Sequence, residues 1–311
     1  MRVVAALGGN ALSPSGGTGS VEEMRSALAS TARALAGVVA EGASLVLTHG
    51  NGPQVGRILL QQELAAADVP PMPMDVCGAE SQGQLGYLIA QALDNALRSL
   101  RVEARVLCLL TQVVVDGRDP AFRRPAKPVG PSYERPVAQR IAHESGHVFA
   151  VQGDGRWRRV VASPLPVRLV EEGALRALAD AGHVVVAAGG GGVPVVEHRG
   201  RLRGVEAVVD KDRTAALMAR AVGADRLLIL TEVDRVQVGF GTPDARALPR
   251  LTVSEARRLL AAGEFPDGSM GPKVEACADF VDVGGGGAVI ASLSDAAAAL
   301  RGEAGTAVVP G

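Results

Sequence analysis

The chemistry of this chain is most readable in its rarest basic residue: lysine occurs only at Lys127, Lys211 and Lys273, and arginine supplies the rest of the 32 basic side chains. Lysine is kept where a compact ammonium serves and a forked guanidinium does not. Lys127 lies in Ala126-Lys127-Pro128-Val129-Gly130-Pro131, where prolines stiffen the backbone around one cation. Lys211 sits between two carboxylates in Asp210-Lys211-Asp212, and Lys273 follows Gly268-Ser269-Met270-Gly271-Pro272. The last two read as helix starts. A cation there opposes the helix dipole, and an anion bound at the same place explains it. Glycine loops that offer bare N–H groups to an anion occur at Gly8-Gly9-Asn10, Gly50-Asn51-Gly52 and 189–192. Lysines, orienting carboxylates and such loops are the parts of a phosphoryl-transfer site, which works by positioning and charge neutralisation.

Other nucleotide chemistries are excluded by pattern. There is no G-x-x-x-x-G-K-[ST] loop and no G-x-S-x-G elbow. Gly50-Asn51-Gly52-Pro53-Gln54-Val55-Gly56 approaches a dinucleotide fingerprint, but its third glycine is one residue late and Pro53 lacks a donor. No set of side chains stands out as a metal site. Cys77, Cys108 and Cys277 form no C-x-x-C pair and read as buried small hydrophobes.

These residues need a scaffold that brings distant loops together. Apolar runs over 3–7, 44–48, 104–115, 183–188, 226–231 and 287–292 read as strands buried on both faces. Helical patterns cover 21–41, 55–66, 79–98, 170–181, 214–222, 254–262 and 273–281, the first opened by a capping pair, Ser20 and Glu23. Such alternation predicts an α/β fold with a mainly parallel sheet covered on both faces, whose ligands bind at the carboxyl ends of the strands. The segment 116–159 breaks the pattern. It is rich in Arg, Pro and Gly, holds the only tryptophan, and reads as a small protruding lid inserted into a single domain spanning 1–311.

Composition narrows the partners. The 311 residues are 47% hydrophobic and 21% charged, with a net charge of −1, as for a globular protein without the basic stripe that nucleic acid requires. The first apolar run stops at Gly8, too short for a secretory signal, and no stretch is long and apolar enough to span a membrane. A cytoplasmic location is the expectation.

Six longer motifs, in order, resemble those of the carbamate kinases within the amino acid kinase superfamily. They are Ala6-Leu7-Gly8-Gly9-Asn10-Ala11-Leu12, Thr48-His49-Gly50-Asn51-Gly52-Pro53-Gln54-Val55-Gly56, Met74 through Gln84, Asp119-Pro120-Ala121-Phe122 with Lys127 to Pro131, Val209-Asp210-Lys211-Asp212, and Gly268 through Ala276. The resemblance spans essentially the whole chain. It implies a three-layer αβα sandwich with a protruding subdomain, a homodimer, and reversible phosphoryl transfer between MgATP and carbamate, running towards ATP in catabolism. By position, Gly8, Gly9, Asn10 and Ser269 would hold the transferred phosphoryl group and Gly50, Asn51 and Gly52 the carbamate. Lys211 and Lys273 would neutralise the transition state, and Lys127 would arrive with the lid. Asp212 is the favoured organiser, although spacing leaves Asp210 open.

The resemblance puts the nucleotide at Thr231, Val233, Asp234, Gln237, Phe240, Met270 and Gly271, with Mg²⁺ held mainly by phosphates and water. Carbamate is already an anion, so no general base is needed and His49 reads as a residue that fixes its loop. Two departures stand out. The family usually reads Val-Tyr-x-Asn-Phe where this chain has Val236-Gln237-Val238-Gly239-Phe240, and Ser132 stands where an aromatic is common. The rival readings are a superfamily kinase for another small carboxylate and a catalytically silent ligand-sensing homologue.

Overall fold

A computed structural model describes residues 1–12, 17, 19–265 and 269–311. Gly268 lies outside the described residues, as does the side chain of Asn10. The chain opens with β1 (Arg2–Leu7), α1 (Val21–Ala40), β2 (Ser44–His49), α2 (Gly52–Ala65), α3 (Met74–Ser99), β3 (Val106–Leu109) and β4 (Gln112–Val115). A small unit follows, of β5 (Lys127–Tyr133), α4 (Arg135–Ser145), β6 (Phe149–Val151) and β7 (Trp157–Val161). Next come β8 (Pro166–Leu169), α5 (Glu172–Asp180), β9 (Val184–Ala187), β10 (Val193–His198), β11 (Arg201–Gly204), α6 (Lys211–Ala221) and β12 (Arg226–Thr231). The chain closes with β13 (Val236–Val238), β14 (Arg246–Leu248), β15 (Arg250–Thr252), α7 (Val253–Ala261), α8 (Met270–Asp282), β16 (Ala288–Ser292), α9 (Ala296–Leu300) and β17 (Thr306–Val309).

Eight strands form the central sheet in the order β15-β17-β16-β12-β1-β2-β9-β3. β1 sits in its middle, paired in parallel with β2 and β12, which is why its sequence is apolar almost throughout. Its residues alternate between two cores. Val4 and Ala6 join the cluster under α6 and α8, and Val3, Ala5 and Leu7 join the one under α1 and α3. The expected three-layer αβα sandwich is therefore present, with β17 antiparallel to β16 at one side. Because the inner strands are parallel, the ends of β1, β2, β9, β12 and β16 open onto one edge of the sheet, where the loops at Gly8, Gly50, Gly189, Glu232 and Leu293 begin.

Several boundaries differ from those expected. The run over 104–115 is two strands in different sheets, because the chain breaks at Thr111. There the Gln82 side chain accepts from the Thr111 N–H and donates to its carbonyl, each at 3.0 Å, and the same carbonyl takes the Val193 N–H of β10 at 2.9 Å. β4 then enters a second sheet, β11-β10-β4-β8, which periodicity does not reveal. α2, α6 and α8 start three residues earlier than their apolar patterns, at Gly52, Lys211 and Met270, so Lys211 and Lys273 stand in first turns. Cys108 is exposed, unlike Cys77 and Cys277, since β3 is an edge strand.

The unit built from β5, β6, β7 and α4 has its own three-stranded antiparallel sheet. Its base is not independent of the body: Val129 and Val161 are buried with Val55 and Leu59 of α2 and Met74 and Cys77 of α3. Tyr133 adds a hydrogen bond of 2.8 Å to Glu63 on α2.

Candidate active site

The loops after β1 and β2 lie against each other. The Gly8 N–H donates to Leu230 O and the Gly50 N–H to Leu7 O, both at 3.1 Å, which continues the sheet's bonding one residue beyond the strands. A Cβ on Gly50 would touch Gly9 N at 3.5 Å and the Lys211 stem at 3.7 Å. The loop after β9 wedges in beside them in left-handed backbone. Gly190 (φ +68°) and Gly191 (φ +93°) leave no room for a side chain, since a Cβ would meet Asn51 Nδ2 at 2.2 Å and Val209 O at 2.1 Å.

Next to these loops stand the lysines. Asp212 is 2% exposed and bridges two of them, taking Lys211 Nζ on Oδ1 at 2.6 Å and Lys273 Nζ on Oδ2 at 3.0 Å. Burial pushes the Asp212 pKa up, but the two ammonium groups outweigh it and hold the carboxyl below its ordinary range. Asp210 does a different job. Its Oδ1 accepts the Asp212 N–H at 2.9 Å as the N-cap of α6, and its Oδ2 receives Lys127 Nζ, carried by β5, at 3.2 Å. The two aspartates of one tripeptide therefore hold all three lysines of the chain. Arg213 forks onto Glu275 at 2.7 and 3.0 Å, tying α6 to α8 and fixing the Lys211–Lys273 spacing.

His49 is buried behind the second loop. Its Nδ1 lies 2.8 Å from Gly50 O, and since a carbonyl only accepts, Nδ1 carries the proton. Burial lowers its pKa to about 4, with Lys211 adding to the effect against the Gly50 bond, so the ring is neutral at physiological pH.

Two cavities meet at this cluster. One, of about 670 Å³, is lined by Gly8, Gly9, Lys211, Thr231, Ser269 and Lys273, among others. The other, of about 340 Å³, is lined by Gly9, Gly50, Asn51, Gly52, Lys127 and Asp210, and again by Lys211 and Lys273. Gly9, Lys211 and Lys273 are thus common to both. Beyond the larger cavity, Val233, Gln237, Phe240 and Met270 line an apolar slot of about 80 Å³ together with Arg235 and Phe265. Asp234 lines a neighbouring hollow instead, and Gly271, buried in the first turn of α8, lines none of the three cavities. Sequence reading missed Ser292 and Ser294 in the larger cavity, whereas Gly190 in the smaller one belongs to the glycine loop over 189–192. Their position after parallel strands was the available signal.

The sheet, the glycine loops and the lysine cluster define a phosphotransferase of the amino acid kinase type, and the chain belongs to the amino acid kinase family, whose model matches residues 1–292. It is 47% identical, over 99% of both chains, to carbamate kinase of Pyrococcus furiosus, and 42% identical over the full length of both to that of Trichomonas vaginalis. Carbamate kinase from Giardia lamblia bound to AMP-PNP superposes with a TM-score of 0.94 at 39% identity, over 100% of this chain and 98% of that one. Within the family the chain falls in the carbamate kinase group.

Proposed function

We propose that the chain acts as a carbamate kinase, moving a phosphoryl group reversibly between ATP and carbamate. The observation that carries this reading is the junction of the two cavities at Gly9, Lys211 and Lys273. The nucleotide phosphates occupy the larger cavity, with the base in the slot at Val233, Gln237, Phe240 and Met270. Carbamate occupies the smaller one, against Gly50, Asn51 and Gly52. A carbamate oxygen forms the new P–O bond while the bond from the γ-phosphorus to the bridging oxygen breaks, and ADP departs with that electron pair. No proton moves, because the nucleophile is already an anion, which suits a neutral His49 engaged with its own loop.

The charge that spreads over the transferred group falls between two ammonium groups held by one buried carboxylate. Preorganised donors of this kind cost no reorganisation during the reaction. Lys127 adds a third cation from the smaller unit, which serves as a lid. Both oxygens of Asp212 and both of Asp210 are already engaged. The site therefore fits Mg²⁺ carried by phosphate oxygens and water, where it would neutralise the nucleotide's charge.

A homodimer is the proposed assembly, since β3 leaves one edge of the central sheet unpaired among the described residues, and Leu110 and Tyr87 are exposed next to it and on the adjoining α3. No helix among the described residues is long and apolar enough to cross a membrane, and a cytoplasmic location is proposed with it. A coupled assay of ATP formation from ADP and carbamoyl phosphate tests the reading; absence of ATP from folded protein refutes it.

A further inference from the structure

Asn51 stands at the N-cap of α2, where an asparagine side-chain oxygen ordinarily accepts a backbone N–H of the first turn. Here it makes no such bond. Its amide turns instead to Ser81, a fully buried residue of α3, with Nδ2 2.7 Å from Ser81 Oγ. The direction of that bond follows from the next one. Ser81 Oγ lies 2.7 Å from Gly78 O, which can only accept, so the single hydroxyl proton of Ser81 is spent there. Ser81 then has only lone pairs to offer Asn51 and demands its NH₂. The amide lies against Gly190, where a Cβ would sit 2.2 Å from Nδ2 and 2.5 Å from Oδ1. Oδ1 is left as an acceptor without a partner among the described residues, on a side chain that lines the smaller cavity.

We infer that Ser81 is a positioning residue for substrate selection: by dictating the orientation of the Asn51 amide it presents an oxygen to the acceptor cavity, which selects a substrate bearing an N–H donor. This rests on the reading that carbamate occupies that cavity. Carbamate's NH₂ satisfies Oδ1, whereas a methyl group in its place leaves a desolvated oxygen unpaired, and sites built around such a bond discriminate strongly. Without the Ser81 hydroxyl the amide has no reason to prefer one orientation, and half-turned it offers the substrate's NH₂ a donor.

The test compares wild type, Ser81→Ala and Ser81→Thr in ATP synthesis from ADP with carbamoyl phosphate or acetyl phosphate as donor. In Ser81→Ala the ratio of kcat/KM for carbamoyl phosphate to that for acetyl phosphate is expected to fall at least about tenfold. The KM for ADP should stay within about twofold, and Ser81→Thr, which keeps the hydroxyl, should restore the ratio. A general structural defect would move ADP and both donors together. Should Ser81→Ala not fold, Ser81→Cys, with only a weak acceptor of similar size, carries the same comparison. A folded variant that keeps the wild-type ratio overturns the role of Ser81 while leaving the activity standing. Wild type that makes no ATP from carbamoyl phosphate overturns the functional reading, and this inference with it.

Discussion

Replacing Asp212 by asparagine removes one charge and almost no volume, and its effect follows from what the carboxylate touches. Its two oxygens each receive an ammonium, at 2.6 Å from Lys211 and 3.0 Å from Lys273. An amide has one acceptor, so one lysine is left facing an NH₂. The side chains involved are 3%, 14% and 14% exposed, which places the cluster among buried ion pairs rather than screened surface ones. Removing one partner of a buried pair costs about 3–5 kcal/mol, and misplacing one preorganised donor costs about 10²–10³ in turnover. Chemical unfolding across a pH series separates this from a generic packing defect. The folded Asp212 carboxyl titrates below its unfolded value, so its contribution is complete above about pH 5 and is lost as pH falls past the unfolded value and through the lower folded one. The stability gap between wild type and Asp212→Asn should therefore be flat from neutrality to about pH 5 and should close in more acid solution. A variant within about 1 kcal/mol of wild type at pH 7, or within about threefold in kcat, would falsify the bridging role.

Lys211→Arg and Lys273→Arg should each lose at least about 2–3 kcal/mol of transition-state stabilisation with the fold retained, since a planar fork cannot replace a point charge packed on one carboxylate oxygen. Steady-state kinetics of the purified variants checks this, and near-normal turnover in either refutes it. His49 takes up a proton at about pH 4 when folded against 6.5 unfolded, so wild type should lose roughly 3 kcal/mol as pH drops between those values. His49→Asn should lose none of it, and equal slopes for the two proteins would count against a buried neutral ring. Gly190→Ala places a methyl 2.2 Å from the Asn51 amide and in left-handed backbone. It should destabilise by at least about 1 kcal/mol and raise KM for carbamoyl phosphate more than KM for ADP. An unchanged ratio of the two constants would remove Gly190 from the acceptor cavity's wall.

Much of this site is legible in the sequence alone. The rarity of lysine marked three positions, and all three converge, because a point charge beside a phosphoryl group is a requirement on residue type and so leaves a trace in composition. The apolar run of β1 announced a strand buried on both faces, and the glycine loops had to follow such strands because a parallel sheet aligns its carboxyl ends. What spacing left open was pairing across long separations. Asp210 and Asp212 share a tripeptide, and only the approach of α8 and β5 shows that one bridges Lys211 and Lys273 while the other holds Lys127 and caps a helix. The break at Thr111 was likewise invisible, since it depends on a Gln82 amide 29 residues away in sequence. The Ser81–Asn51 bond, spanning 30 residues, belongs with them. Local patterns record which residue types a strand, a turn or an anion demands. Hydrogen-bond direction and charge pairing between distant elements exist only once packing has brought those elements within a few ångströms.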